Sequence, residues 1–531
     1  MTTRHSLTPT VLVLAVLAAS LFSAVPTVAL PLAITDTGVV LSWKASADGS
    51  VVVYHTTDDA LNTGKDLRAV RVQTRTDALI ASDIPASVLR HYVISPNGAY
   101  AAFYKSQGGT TELWLAATDG SSSRLVVSAS DTVLSGSTDN TFTPNGSHFL
   151  YTMTPTNASR ALYSVATSGS TAPVQLNPSP IMTFEIGSYT PTPDSSRVIY
   201  TQILSNVNYA LVNTYSVPVG GPGSSSVRLN QNGSSTIYYG DPVIAPNSQR
   251  VIITDQGFYS MNLIGGARAQ LSPSAAVSAL AVSADSNHIA YGWENGATLS
   301  GELYVAPIAG PMSAAVQVLS LPYIEFLGVS FSKDGTRVIA AVRFISSSQV
   351  KIFSTPRQGP ASAAIELASG RPIFSGSPYN FTYWPGSAIA FQPPSSAQPF
   401  SVPSAGPSTA SQSLASGEVG GSVTRDGERL VYLSGGQVYS VPVAGPISAT
   451  RNESMLPFGG VSEFQIATDS QRLVFEAEDT LYSTVLGTGS LVASLLPECQ
   501  STPGAGGPIP TLDPAQTLRL YIPSLERCGG F

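Results

Sequence analysis

The sequence predicts an all-β fold in which one four-stranded antiparallel sheet is repeated about ten times, and three observations carry that reading. The stretch from His91 to Val126 alternates short apolar runs with turns: Pro96-Asn97-Gly98, an apolar run from Ala99 to Tyr104, a polar reversal, Leu113 to Ala117, then Asp119-Gly120. Four such runs separated by turns make one sheet. The first turn then returns along the chain, roughly every 40 to 50 residues with one gap about twice as long. Finally, nothing of helical period and length interrupts the series, which argues against a parallel α/β sheet.

The turns are Ala47-Asp48-Gly49, Pro96-Asn97-Gly98, Pro144-Asn145-Gly146, Pro193-Asp194-Ser195, Pro246-Asn247-Ser248, Ala284-Asp285-Ser286, Lys333-Asp334-Gly335, Arg425-Asp426-Gly427 and Thr468-Asp469-Ser470. Asp or Asn suits a tight reversal because its short side chain bonds the local backbone, and Gly accepts positive φ. Pro385-Gly386-Ser387 is a degraded tenth turn in the long gap. A second strand follows each turn, as in Ala101-Phe103 and Val198-Tyr200. A third is seen in Leu113-Trp114-Leu115, Tyr215-Ser216-Val217 and Val438-Tyr439-Ser440. Their β-branched and aromatic residues suit pleated, half-buried surfaces.

One such sheet cannot bury both faces alone, whereas a radial ring of copies buries them and leaves no long edge. The fold class expected is therefore a β-propeller, with the run before each turn as the innermost strand. About ten units exceed the usual four to eight blades. One large ring and two smaller rings both fit, with Gly359 to Gly421 as the seam between two rings. Gly38 to Trp43 or Leu491 to Leu496 is expected to complete a mixed first or last blade.

The chain of 531 residues is too long for one ordinary core. Its net charge of -7 and 11% charged residues, with no Lys/Arg cluster, exclude a phosphate-backbone partner. Arg4 and His5 precede an apolar run from Val11 to Val25 and a small-residue exit at Pro26-Thr27-Val28-Ala29. Residues 1–29 read as a secretory signal, and no later run is long and apolar enough for a membrane span. Secretion to the extracellular space, cell surface or periplasm follows. The two cysteines, Cys499 and Cys528, would meet an oxidising environment there, and a disulfide between them is expected. The domain plan is thus a signal at 1–29, the repeat array at 30–496, and a Pro/Gly-rich tail at 497–531 with a last strand near Leu518 to Leu525.

Ser95-Pro96-Asn97-Gly98 followed by Leu113-Trp114-Leu115 and Asp119-Gly120 resembles the WD40-like repeat of TolB-type propellers, as do Ser332-Lys333-Asp334-Gly335 and Thr424-Arg425-Asp426-Gly427. The resemblance covers roughly residues 36 to 490 and implies a propeller. Propellers of this kind serve as docking modules, enzyme accessory domains and, less often, lyases or hydrolases. The chain departs from the TolB-type pattern in having more units and no evident preceding α/β domain.

No catalytic constellation is visible. Gly-Ser pairs occur, but none sits between a strand and a helix as a nucleophile elbow requires. His148 and His288 occupy the slot three residues after the turn Asn or Asp, where other units carry Arg197, Arg250, Arg337, Arg429 and Arg472. A shared slot is a structural position. No metal-ligand spacing and no phosphate-cradling motif appears, so neither metal nor cofactor is expected. What remains is the channel rim, where the loops entering the innermost strands converge. Six residues before the turn Asn or Asp stand His91, Asp139, Asp241 and Glu463, with Tyr92 and Tyr189 close by; these form the candidate binding rim. The function expected is a secreted, non-enzymatic binding or scaffold propeller for a protein or glycan. A carbohydrate-active enzyme working at the channel mouth, or a structural surface component, is the alternative.

Overall fold

A computed structural model describes residues 31–491 except 36–38, 58–64, 131–133, 135–139, 155–158, 179–184, 207–208, 231–233, 236–240, 274–276, 296–299, 373–387, 393–397, 417–419 and 456–459 and positions 170, 256, 348 and 370. The proposed leader, the tail and both cysteines lie outside the described residues, as does Asp139.

Blade 2 shows the unit. Its strands Leu89–Ile94, Tyr100–Gln107, Thr110–Ala117 and Ser123–Ser130 pair in chain order, all antiparallel. The first reversal follows from local chemistry. Asn97 Oδ1 accepts from the Ser95 hydroxyl at 2.7 Å and the Ala99 N–H at 3.1 Å, and Gly98 takes φ 66°. An aspartate or asparagine with a hydroxyl two residues before it repeats this arrangement around the ring, as in Ser283 to Asp285 at 2.5 Å and Thr424 to Asp426 at 2.6 Å.

Ten sheets of this kind form one ring. Among the described residues the buried apolar side chains fall into ten clusters, and each is drawn from two consecutive sheets. Face-to-face sandwiches would pair the sheets in twos; an unclosed ribbon would leave the first and last sheets bare. Neither is found, because Val52 and Tyr54 of blade 1 pack with Val474 and Leu481 of blade 10. Each fully buried large apolar side chain contributes roughly 1.5 to 3 kcal/mol, so the seams dominate the stability of the ring. Within blades, second-strand aromatics stack on third-strand tyrosines. Tyr200 and Tyr215 lie 5.2 Å apart between ring centroids, Tyr151 and Tyr163 5.4 Å, and Tyr291 and Tyr304 5.6 Å.

The slot after the turn is structural, as its repetition implies. Arg197 Nε donates to Ser216 Oγ at 2.7 Å and Arg337 Nε to Ser354 Oγ at 2.7 Å, so the arginine of the second strand ties the serine of the third. The degraded unit is a genuine sheet too, although its inner strand is only Arg371–Pro372.

The chain ends correct the sequence expectation. Of the two stretches expected to complete a mixed blade, Gly38 to Trp43 falls from Val39 onward in Val39–Ala45, the inner strand of blade 1, and Leu491 to Leu496 lies past Leu491 outside the described residues. The last blade is completed by Leu32–Ala33, which pairs with Tyr482 and Ser483, and Ile34 N–H donates to Leu481 O at 2.8 Å. Blade 10's own outer position being taken, Ser490–Leu491 crosses back and adds a fifth strand to blade 9 beside Arg451–Asn452. Glu453, fully buried, fixes this crossing. Its carboxylate accepts from the N–H groups of Gly487 at 2.8 Å and Gly489 at 3.0 Å and from the Ser440 hydroxyl.

Candidate functional site

The inner strands of blades 10, 1 and 2 meet where the ring closes, and their side chains make the candidate site. Gln465 of blade 10 sets the spacing. Its Oε1 accepts from Ala45 N–H at 3.1 Å, which satisfies a channel-side backbone group that an innermost strand otherwise leaves unpaired. Between these strands lies a cleft of about 460 Å³, lined by Trp43, Lys44, Val93, Ile94, Glu463 and Phe464 among others.

A local device re-aims the rim residues near this space, of which Glu463 lines it. The pairing register slips between Val40 and Ser42 in blade 1, between Leu89 and His91 in blade 2, and between Val461 and Glu463 in blade 10. A β-bulge places two residues against one, bends the strand and re-aims the side chain that follows it. The same slip precedes Tyr189 in blade 4. Thus the position six residues before the turn is special because the strand bulges there.

Lys44 Nζ lies 5.7 Å from the centroid of the Tyr92 ring, and the Tyr92 hydroxyl and Ser42 Oγ are hydrogen-bonded at 2.9 Å. Lys44 forms no ion pair among the described residues, and burial holds its amine below the ordinary lysine value. Burial also lowers His91, and the Lys44 charge adds to this. His91 Nε2 is buried without a hydrogen-bond partner among the described residues, and Trp43, 7% exposed, has its indole beside Glu476. A buried polar atom without a partner is rare and costly.

The acidic side comes from blade 10. Glu463 is exposed on the rim and stands directly opposite Glu476 in the strand pairing. Burial raises Glu476 above the usual carboxylate value; the Trp43 indole opposes this, and the charges of Asp479 and Glu463 add to it. Burial likewise pushes the Tyr92 phenol up, against the Ser42 hydrogen bond and with help from Glu463 and Glu476.

The structure therefore brings His91, Tyr92 and Glu463 together and adds Ser42, Trp43, Lys44, Gln465 and Glu476. Tyr189 belongs to another cluster: its hydroxyl donates to Asn140 Oδ1 at 3.1 Å, and Asn140 Nδ2 donates to the Tyr104 hydroxyl at 2.6 Å, linking blades 4, 3 and 2. Asp241 is exposed, just before the first strand of blade 5, Val243–Ile244. Ser42 stands six residues before Asp48 and so had a readable signal; Lys44 stands four before it, the position that Val93 and Gln465 hold in blades 2 and 10, and Glu476 lies on a second strand, outside any count back from a turn. Among the described residues no group of three His, Cys, Asp or Glu side chains is placed to hold a metal ion, and no helix is long and apolar enough to cross a membrane.

Fold and site define a ten-bladed β-propeller with a polar cleft in the channel wall where its ends close. No protein-family model matches the chain, and no curated protein matches it. Among solved structures it is similar to a eukaryotic initiation factor, with 10% identity over 82% of this chain and 92% of that one at a TM-score of 0.41. It is similar to an oligogalacturonate lyase from Vibrio parahaemolyticus, with 12% identity over 67% of this chain and 95% of that one at 0.34. A third likeness is TolB from Acinetobacter baumannii, with 15% identity over 50% of this chain and 63% of that one at 0.25.

Proposed function

We propose that the chain is an exported, non-enzymatic binding or scaffold propeller, distantly related to TolB-type repeats, whose channel wall at blades 10, 1 and 2 receives part of a protein or glycan partner. One observation carries this reading: Lys44 and Glu463 line one cleft with His91 near Lys44, and among the described residues Lys44 forms no ion pair and His91 Nε2 no hydrogen bond. A purely structural sheet array has no need of a desolvated amine with no counter-charge. Export rests on the leader-like residues 1–29 and the cysteine pair. The test is capture from an extracellular fraction and on a glycan array with the wild-type chain beside a Lys44→Met/Glu463→Gln variant. Partners retained by the wild type and lost by the variant support the reading. A partner retained equally by both removes this wall from the function.

A second reading is favoured by the Glu463–Glu476 pair. Directly opposed residues of an antiparallel pair have Cβ atoms about 4.5 to 5.5 Å apart, and a pair of carboxyl groups at short range is what glycoside hydrolysis needs. Release of reducing ends from an oligosaccharide panel, lost in Glu476→Gln, would establish it. No release from any substrate would end it.

A further inference from the structure

Two opposite charges face one cleft without meeting. Lys44 forms no ion pair among the described residues, and Glu463, lining the same cleft, forms none either. Beside Lys44 stands His91, with Nε2 buried and unpartnered; behind Glu463 stands Glu476. The two groups sit on different strands of different blades, and the indole of Trp43, nine-tenths buried, stands at the cleft with them.

The charges select among ligands. A simple anion attracted by Lys44 would be repelled by Glu463 and Glu476, and a simple cation attracted by Glu463 would be repelled by Lys44. A neutral ligand would strip water from Lys44 and give nothing back for its charge. A ligand carrying both charges meets each with its opposite. The remaining wall is apolar, with Val93, Ile94 and Phe464, and suits an aliphatic side chain. Resting on the binding reading above, we propose that the cleft recognises a small zwitterion, a free amino acid or short peptide, with its carboxylate on Lys44 and its ammonium group on Glu463. Such a ligand could be free in solution or be released from a larger chain.

Isothermal titration calorimetry on the full chain tests this with four probes: leucyl-leucine, its N-acetyl derivative, its C-terminal amide, and the neutral disaccharide cellobiose. Leucyl-leucine is expected to bind, and loss of either terminal charge is expected to weaken binding about tenfold or more. The charge assignments are separable. Lys44→Met should bind leucyl-leucine and its amide alike, and Glu463→Gln should bind leucyl-leucine and its N-acetyl form alike; circular dichroism confirms that both variants fold. Equal binding of the three peptide forms by the wild type overturns the proposal, as does no heat with any of them at millimolar concentration. Binding of cellobiose or of a captured macromolecule without leucyl-leucine also overturns it while leaving the binding propeller standing. Leucyl-leucine binding with no captured partner does the reverse.

Discussion

The backbone N–H of Asn145 in blade 3 donates to the side-chain oxygen of Ser195 in blade 4 at 3.0 Å. The same clasp joins Asp194 to Ser248, Asn247 to Ser286 and Asp426 to Ser470, each at 3.0 Å. Every one of these serines has positive φ, between 58° and 63°, the place glycine takes in other turns. The serine therefore accepts an unfavourable backbone region in exchange for a bond to its neighbour.

Substitution at Ser195 separates the two effects. Ser195→Ala keeps the strain and loses the bond, so it should destabilise by about 1 to 2 kcal/mol. Ser195→Gly loses the bond but relieves the strain and should lie closer to wild type. Gly146→Ala should be worse than either, because a Cβ there would stand 2.6 Å from Asn97 Oδ1 at φ 73°. Denaturant melts of the three variants check the order.

Glu453→Ala should cost about 2 to 4 kcal/mol, since it leaves the Gly487 and Gly489 N–H groups unpaired in a buried place. The loss should be local before it is global. Hydrogen exchange at Ser490–Leu491 and Arg451–Asn452 should quicken under conditions where blade 2 remains protected.

Stability should fall in two steps as pH is lowered. His91, His148 and His288 are all held below 6.5, with burial the leading cause at each, so the folded state resists their protonation. At His288 the Arg357 charge adds to burial and Asp285 opposes it. Their contribution is complete above 6.5 and is lost as pH falls from there through the folded values. The second step belongs to the turn carboxylates. At Asp334 the Ser332 hydroxyl leads in holding the group below 3.8; at Asp48 and Asp194 burial works the other way and the hydroxyl and N–H bonds outweigh it. That stability is present above 3.8 and lost below it. In melts against pH, replacing the three histidines with Gln should erase the first step and leave the second.

Glu476→Gln should stabilise the chain at neutral pH, by less than about 1 kcal/mol because partial exposure screens the charge. A carboxyl held above 4.5 favours the fold while protonated and loses that favour as pH rises through its folded value. The gain should therefore vanish below 4.5, which thermal melts at pH 4 and pH 7 compare.

The repeat was legible because its causes are local. An Asp or Asn with a small residue after it, and in seven of the nine a hydroxyl two residues before it, makes the turn from local bonds, so the turns marked nine of the ten sheets and the long gap marked the tenth. The choice of one ring over two was not legible, because closure depends on Val474 and Leu481 packing on Val52 and Tyr54 across the whole chain length. The site was half legible for the same reason. Counting back from the turns found His91 and Glu463, but the bulges that re-aim them arise from strand pairing, and Lys44 and Glu476 enter only because blade 10 lies beside blade 1. The sequence points to Gly38 to Trp43 or Leu491 to Leu496 for the completing strand, whereas two residues at Leu32–Ala33 complete the last blade, too short a run to stand out.

The central claim is that the closing seam is the binding surface, and hydrogen–deuterium exchange with and without bound ligand or partner tests it most directly. Protection should rise in Val39–Ala45, Leu89–Ile94 and Val461–Ile466, three stretches far apart in the chain. Protection confined to outer strands such as Thr76–Ala81 and Ser123–Ser130, with those three unchanged, would contradict it.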